Sequence, residues 1–201
     1  MINIVDNQYL GSVIYYKSLF NSLYVELEVY ERHQKSGFSN RCYIAGANGL
    51  ITLSIPLLKG RNQKNPVNEI EIDNQQKWQK KHWKAIESSY MRSPWFEFYK
   101  DDLKAFYEKE YRFLFDLNKD LLVYILKKIN WQGELLQTTL YDEKPVDKTD
   151  NRNVVLPKNY LTFPVIKYPQ VFEEKLGFLP NLSIIDLLFC CGKNSNAYLS
   201  K

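Results

Sequence analysis

The sequence predicts an α/β protein: a small mixed sheet with a β-α-β opening and a β-hairpin, covered by a helical segment. Three observations carry this. Residues 2–30 read strand, short helix, strand. Asn48-Gly49 sits between two β-rich runs. Between about 75 and 129 the apolar residues recur at helical spacing. A chain of 201 residues fits one domain, expected over 1–201, and can bury a core without disulfide or metal staples.

Each element follows from local chemistry. Residues 2–6 form a short strand. Ser12 to Phe20 places Val13, Tyr16, Leu19 and Phe20 near one helical face, and Leu23 to Tyr30 alternates as a second strand. Cys42-Tyr43-Ile44 and Leu50 to Ile55 flank Ala47-Asn48-Gly49. Asn-Gly suits a turn that needs positive φ at both residues, so a hairpin is predicted. Residues 59–68 are a Gly/Asn/Pro loop. Asp73 or Asn74 caps a helix running to about Met91. Ser93-Pro94 starts a second, with Pro pre-set for the first turn, and a break is expected near Asp116. Gly133 ends the helical segment, and Leu135 to Leu140 is a further strand. Residues 141–160 are polar, with two prolines, and read as a surface loop. Ser183 and Asp186 have capping-box spacing, so the last helix starts near Asn181.

Composition narrows the function. No window approaches 18 unbroken apolar residues, and the first six residues lack a basic leader, so a cytoplasmic location without membrane insertion is expected. Three cysteines without CxxC spacing, and only His33 and His82, give no metal site. The net charge of +4 is too mild to mark a nucleic-acid binder. The basic residues do gather: residues 59–84 hold seven Lys or Arg against three acids. Lys77, Lys80, Lys81 and Lys84 are spaced as one helical face. An RNA-binding module using this stretch and its tryptophans is a weak further reading. Aromatic residues reach 15%, which supports either a ring-built core or a stacking pocket.

A series of segments carries a family resemblance. It runs through Tyr9-Leu10, Asn40-Arg41-Cys42-Tyr43-Ile44, Gly46-Ala47-Asn48-Gly49 and Leu53-Ser54-Ile55-Pro56. It continues through Lys59-Gly60-Arg61, Ile72-Asp73, Trp78 to Trp83, Tyr90, Ser93 to Tyr99 and Asp116-Leu117-Asn118. It closes with Tyr168-Pro169-Gln170-Val171-Phe172 and Gly177 to Phe189. In this order the set resembles the WbqC-like family, in its short Bacteroidota-type branch. The resemblance implies a role in O-antigen-type surface-polysaccharide biosynthesis. It implies a transferase moving an aminoacyl (glycine) or other acyl group onto a nucleotide-linked sugar. The alternative is a non-catalytic binding or scaffold protein of the same pathway.

There are departures from the family pattern. Where the family opens with His-Gln-Pro-x-Tyr-Leu-Pro, this chain has Val5-Asp6-Asn7-Gln8-Tyr9-Leu10-Gly11. Where the short branch has His-Glu it has Tyr30-Glu31, with a histidine displaced to 33. Ser39 stands where an Arg is common.

One site is expected, between the start of the hairpin and the helix after residue 75. Arg41, beside Asn40, offers a planar guanidinium for a carboxylate or phosphate. Lys59 and Arg61 flank Gly60 in a loop able to wrap a phosphate, without P-loop spacing. His82 is the expected proton carrier, beside Trp78; Tyr9 and Asn181 complete the walls. The expected partner is a nucleotide-sugar or other anionic small molecule, and no cofactor is assigned. Plain alternatives stand beside each: a strand-surface Arg41, a solvated 59–61 loop, a structural His82 and a capping role around Asn181.

Overall fold

The computed structural model describes residues 2–200. Strand β1 (Ile2–Val5) is buried from Asn3 onward because it has neighbours on both sides. Ser12 caps helix α1 (Val13–Phe20), its hydroxyl accepting from the Tyr15 N–H. The helix returns the chain to β2 (Tyr24–Leu27), parallel to β1 with Val5 opposite Leu27. A parallel pair needs such a crossover, and α1 lies on one face of the sheet to make it. Asn3 anchors the two, donating to the Ser18 carbonyl.

The hairpin forms where it is expected. Strands β3 (Arg41–Gly46) and β4 (Gly49–Ser54) pair antiparallel, with Arg41 opposite Ser54. The turn is Ala47-Asn48 rather than Asn48-Gly49, and positive φ falls on Gly49 (120°), not on Asn48. Parallel and antiparallel pairing are divided between two sheets, a four-stranded one and this hairpin.

Helices α2 (Trp78–Tyr90), α3 (Phe96–Glu108) and α4 (Leu114–Lys128) follow. Asp73 caps a 3-10 turn over Asn74–Gln76, not α2 itself, and Lys77 is left-handed (φ 49°). Lys77 therefore lies outside α2, and the basic face is Lys80, Lys81 and Lys84. Pro94 precedes α3 by two residues instead of opening it. The break falls at 109–113, ahead of Asp116. There the backbone pairs with the 70–72 segment: Ile72 N–H donates to Arg112, and Leu114 N–H to Ile70.

Strand β5 (Glu134–Gln137) joins the outer side of β2. The 141–160 segment, expected to be loop, contains β6 (Lys148–Asp150), which pairs parallel with β1 and completes the order β5-β2-β1-β6. Short helices α5 (Glu173–Leu176), α6 (Ile184–Cys191) and α7 (Ser195–Leu199) close the chain. Among the described residues no helix is long and apolar enough to cross a membrane.

Rings do fill the core, with Tyr9, Tyr16, Tyr90 and Phe189 among its largest sealed side chains. A buried phenol needs a partner for its hydroxyl. That need explains Asp186. Its carboxylate accepts from Tyr90 Oη at 2.7 Å, Tyr168 Oη at 2.8 Å and Gln170 Nε2 at 3.1 Å. The capping box is thus not made: Ser183 Oγ donates to the Leu10 carbonyl, and Asp186 turns inward.

Candidate functional site

The expected site residues separate into three groups. Tyr9, Trp78 and His82 form one. Tyr9 Oη lies 2.9 Å from His82 Nδ1 and 2.7 Å from Tyr107 Oη, while His82 Nε2 is 3.3 Å from the Ser54 carbonyl. Trp78 meets the imidazole edge-on at 5.1 Å. Burial pushes the His82 pKa down to about 4, against a smaller opposing effect of the Ser54 carbonyl. This imidazole is neutral at pH 7 and wedged between a phenol and a backbone carbonyl. A groove of about 400 Å³ beside Lys80, Trp83 and Lys104 reaches the chain of hydroxyls at Tyr107.

Lys59 and Arg61 form the second group. Both are exposed, and neither enters an ion pair or hydrogen bond with the His82 cluster. Asn40 belongs with the hairpin, donating through Nδ2 to the Ile55 carbonyl and so extending its open end.

The third group gathers at the carboxyl ends of the parallel strands, the place where open α/β sheets present loops to ligands. Asp6 follows β1, Glu28 and Glu31 follow β2, and Asp150 ends β6 with Arg152 and Asn153 just after it. Arg152 is saturated. It grips Asp150 through Nε and Nη2, Glu28 through Nη1 at 2.8 Å, and the Asp142 carbonyl. The Arg152–Glu28 pair is almost completely buried, and the guanidinium holds the Asp150 pKa below its usual value.

Asp6 and Glu31 have no such cation. Asn153 joins them: its backbone N–H donates to Asp6 Oδ1 at 3.2 Å and its Nδ2 to Glu31 Oε2 at 2.7 Å. Asn153 holds φ at 56°, a left-handed conformation that Asn tolerates better than most residues. Gln8 Nε2 supplies the other Asp6 oxygen. Burial, with the neighbouring Asp6 charge, pushes Glu31 up to about 8; burial raises Asp6 to about 6. A carboxyl balanced near neutral pH can take a proton and return it.

The same edge holds side chains the sequence had marked only as departures or not at all. Tyr30 points outward (41% exposed) while Glu31 and His33 point in. The displaced histidine is therefore on the buried side of its segment. His33 Nδ1 meets Ser39 Oγ at 3.4 Å, and Asn118 on α4 donates to the Ser39 carbonyl. Asn7 donates to the Phe115 carbonyl, one turn before Asn118. Arg41 comes here as well: its Nη2 donates to the Lys35 carbonyl and its charge opposes protonation of His33, adding to the effect of burial. Asn181, with φ 51°, donates to the Tyr160 carbonyl, and Tyr160 packs on Phe38 and Tyr43. Val5, at the family histidine position, is sealed in the core.

Two flanking cavities bracket this edge. One of about 290 Å³ is lined by Glu26, Glu28, Asp142, Lys148 and Arg152. Another of about 260 Å³, more apolar, is lined by Tyr15, Val155 and Phe163. Among the described residues no cluster of three or more His, Cys, Asp or Glu is placed to hold a metal ion.

Fold and edge define a parallel α/β protein with a buried, polar, acid-bearing edge at the strand ends. The sequence matches the WbqC-like protein family over residues 22–158 and 140–198, and the chain belongs to that family. Curated proteins and solved structures give no match.

Proposed function

We propose that this protein is a cytoplasmic transferase of surface-polysaccharide biosynthesis that moves an acyl or aminoacyl group onto a nucleotide-linked sugar. The observation that carries this is the Asp6–Asn153–Glu31 bridge at the strand ends. Glu31, with its pKa near 8, takes the proton from the attacking hydroxyl or amine and passes it to the leaving group. Glu31 is favoured over His82 as proton carrier, because the His82 ring is held between Tyr9 and the Ser54 carbonyl. Lys59 and Arg61 are exposed and stand apart from that cluster.

The test pairs binding with turnover. Thermal shift against nucleotide-sugars, nucleotides and CoA esters identifies ligands; 100-fold excess over Kd is worth about 2.7 kcal/mol. Product formation from the hits is then compared with Glu31→Gln, which retains an acceptor for Asn153. A loss of about 100-fold or more with unchanged ligand binding is expected. Full activity in the variant, or no stabilisation by any of the panel, sinks the proposal. The non-catalytic reading keeps one observation on its side: Val5 leaves the chain without the opening imidazole of the family. In that case ligands stabilise the protein and no product forms.

A further inference from the structure

Four buried polar side-chain atoms at and beside the strand ends lack a partner: Asn7 Oδ1, Gln8 Oε1, His33 Nε2 and, on α4, Asn118 Oδ1. Arg41 Nε is buried and unpartnered as well, and Arg41 Nη2 donates to the Lys35 carbonyl, two residues from His33. Leaving such an atom unsatisfied costs about 1–3 kcal/mol. Native interiors keep these exceptions few, and they concentrate at functional sites. Here Asn7, His33, Asn118 and Arg41 belong to one connected set. Ser39 joins His33 to Asn118, α4 joins Asn118 to Asn7, and His33 lies within the field of Arg41.

The orientation of each group is fixed by its other bond. Asn7 and Asn118 spend their N–H groups on the carbonyls of Phe115 and Ser39, so what they present is an acceptor oxygen. Arg41 presents an N–H, and His33 presents the ring nitrogen opposite Ser39. We infer that Arg41 and His33 form a subsite for a phosphate group, and that Asn7 and Asn118 beside it accept hydrogen bonds from the ligand's hydroxyls. The ligand class is a sugar phosphate, free or within a nucleoside diphosphate sugar. This assignment rests on the strand ends being the ligand site of the transferase proposed above. It adds to it a phosphate that the Arg41 guanidinium pairs with and the uncharged His33 ring hydrogen-bonds, without Lys59 or Arg61. Arg41 Nε with one Nη makes the paired geometry that phosphate oxygens accept. His33 is 6% exposed, so its bond to the anion is shielded from water.

Isothermal titration of the full chain with pyrophosphate, glucose 1-phosphate and UDP-glucose tests it. Wild type binds all three, and the last two separate a free sugar phosphate from a nucleotide-linked one by their relative affinity. Arg41→Gln and His33→Gln each weaken binding about tenfold or more. Arg41→Lys, which keeps the charge without Nε, guards against a variant that merely misfolds, and it too binds more weakly. Asn118→Leu leaves pyrophosphate within about threefold and removes the preference for glucose 1-phosphate over inorganic phosphate. The double variant Lys59→Gln/Arg61→Gln is unchanged. No heat with any phosphate on wild type overturns the subsite, as does a loss confined to the Lys59/Arg61 variant. Glu31→Gln separates the two ideas. If it binds pyrophosphate normally and still turns over, the transferase reading fails while the subsite stands. If Glu31→Gln is dead but Arg41 and His33 variants bind phosphate as wild type does, only the subsite fails.

Discussion

Replacing Asp186 with Asn is expected to stabilise this protein at neutral pH. The carboxyl is completely buried and accepts from Tyr90, Tyr168 and Gln170. Intuition says that losing a thrice-bonded carboxylate must cost stability. Burial nevertheless outweighs the three donors and raises its pKa from 3.8 to about 6. A raised pKa means that the folded state holds the proton more tightly than the unfolded state. The stability from this group is therefore complete below about pH 4 and lost as pH rises through 6. At 1.36 kcal/mol per unit, the loss is about 3 kcal/mol, roughly half of it by pH 5. Asn does not titrate and can still accept from one phenol. The variant and wild type should match near pH 4, and the variant should gain up to about 3 kcal/mol by pH 8. Urea unfolding at pH 4.5, 6 and 8, followed by tryptophan fluorescence, measures this. Asp186→Leu is the contrast: it leaves two phenol donors orphaned and should fall about 3 kcal/mol below Asp186→Asn at every pH. If Asp186→Asn loses more than about 1 kcal/mol at pH 8, the hydrogen bonds outweigh desolvation and the reasoning fails.

Two further outcomes follow from packing and charge. Arg152→Met strands the sealed Glu28 carboxylate, and urea titration should show a loss of about 3–5 kcal/mol. A stability change below about 1 kcal/mol would mean that water reaches Glu28. Gly192 sits at φ 55°, and a Cβ there would lie 2.2 Å from the Trp95 ring. Gly192→Ala should therefore cost about 3 kcal/mol or more and alter the near-ultraviolet signal of Trp95; an unperturbed spectrum would show that α6 has room to shift.

Much of the fold was legible because its signals are local. The Ser12 cap, the apolar faces of α1 and α2 and the glycine after Asn48 need only near neighbours. What was hidden depends on distant partners. Strand β6 is Lys-Thr-Asp, three polar residues with no alternation, and only pairing with β1 makes it a strand. The break before α4 reflects backbone bonds to residues 70–72, and apolar period passes over it without a mark. Capping-box spacing at Ser183 and Asp186 was real, but phenols from α2 and from Tyr168 compete for the carboxylate. The candidate site divides in the same way. Arg41 and Asn181 were named from chemistry and resemblance. Glu31 and His33 were visible only as departures, whose inward direction emerges from the exposed Tyr30 between two buried neighbours. The bond between Asp6 and Asn153 spans 147 positions, and one sequence holds no trace of such a pairing.

The placement of β1 between β2 and β6 also dictates a timetable. Strand β1 is made long before one of its two partners, more than 140 residues ahead of β6. Residues 2–27 can zip together early, but the seam beside β1 stays open until residues 148–150 arrive. Closing so long a stretch of chain is slow relative to local pairing. Arg152 and Asn153 ride in on that strand, so Glu28 and Glu31 spend the interval in water, ionised and apart from their eventual companions. The acid edge is thus a product of the final stage of assembly. A nascent chain halted before residue 148 would contain α1 through α4 and lack the edge altogether.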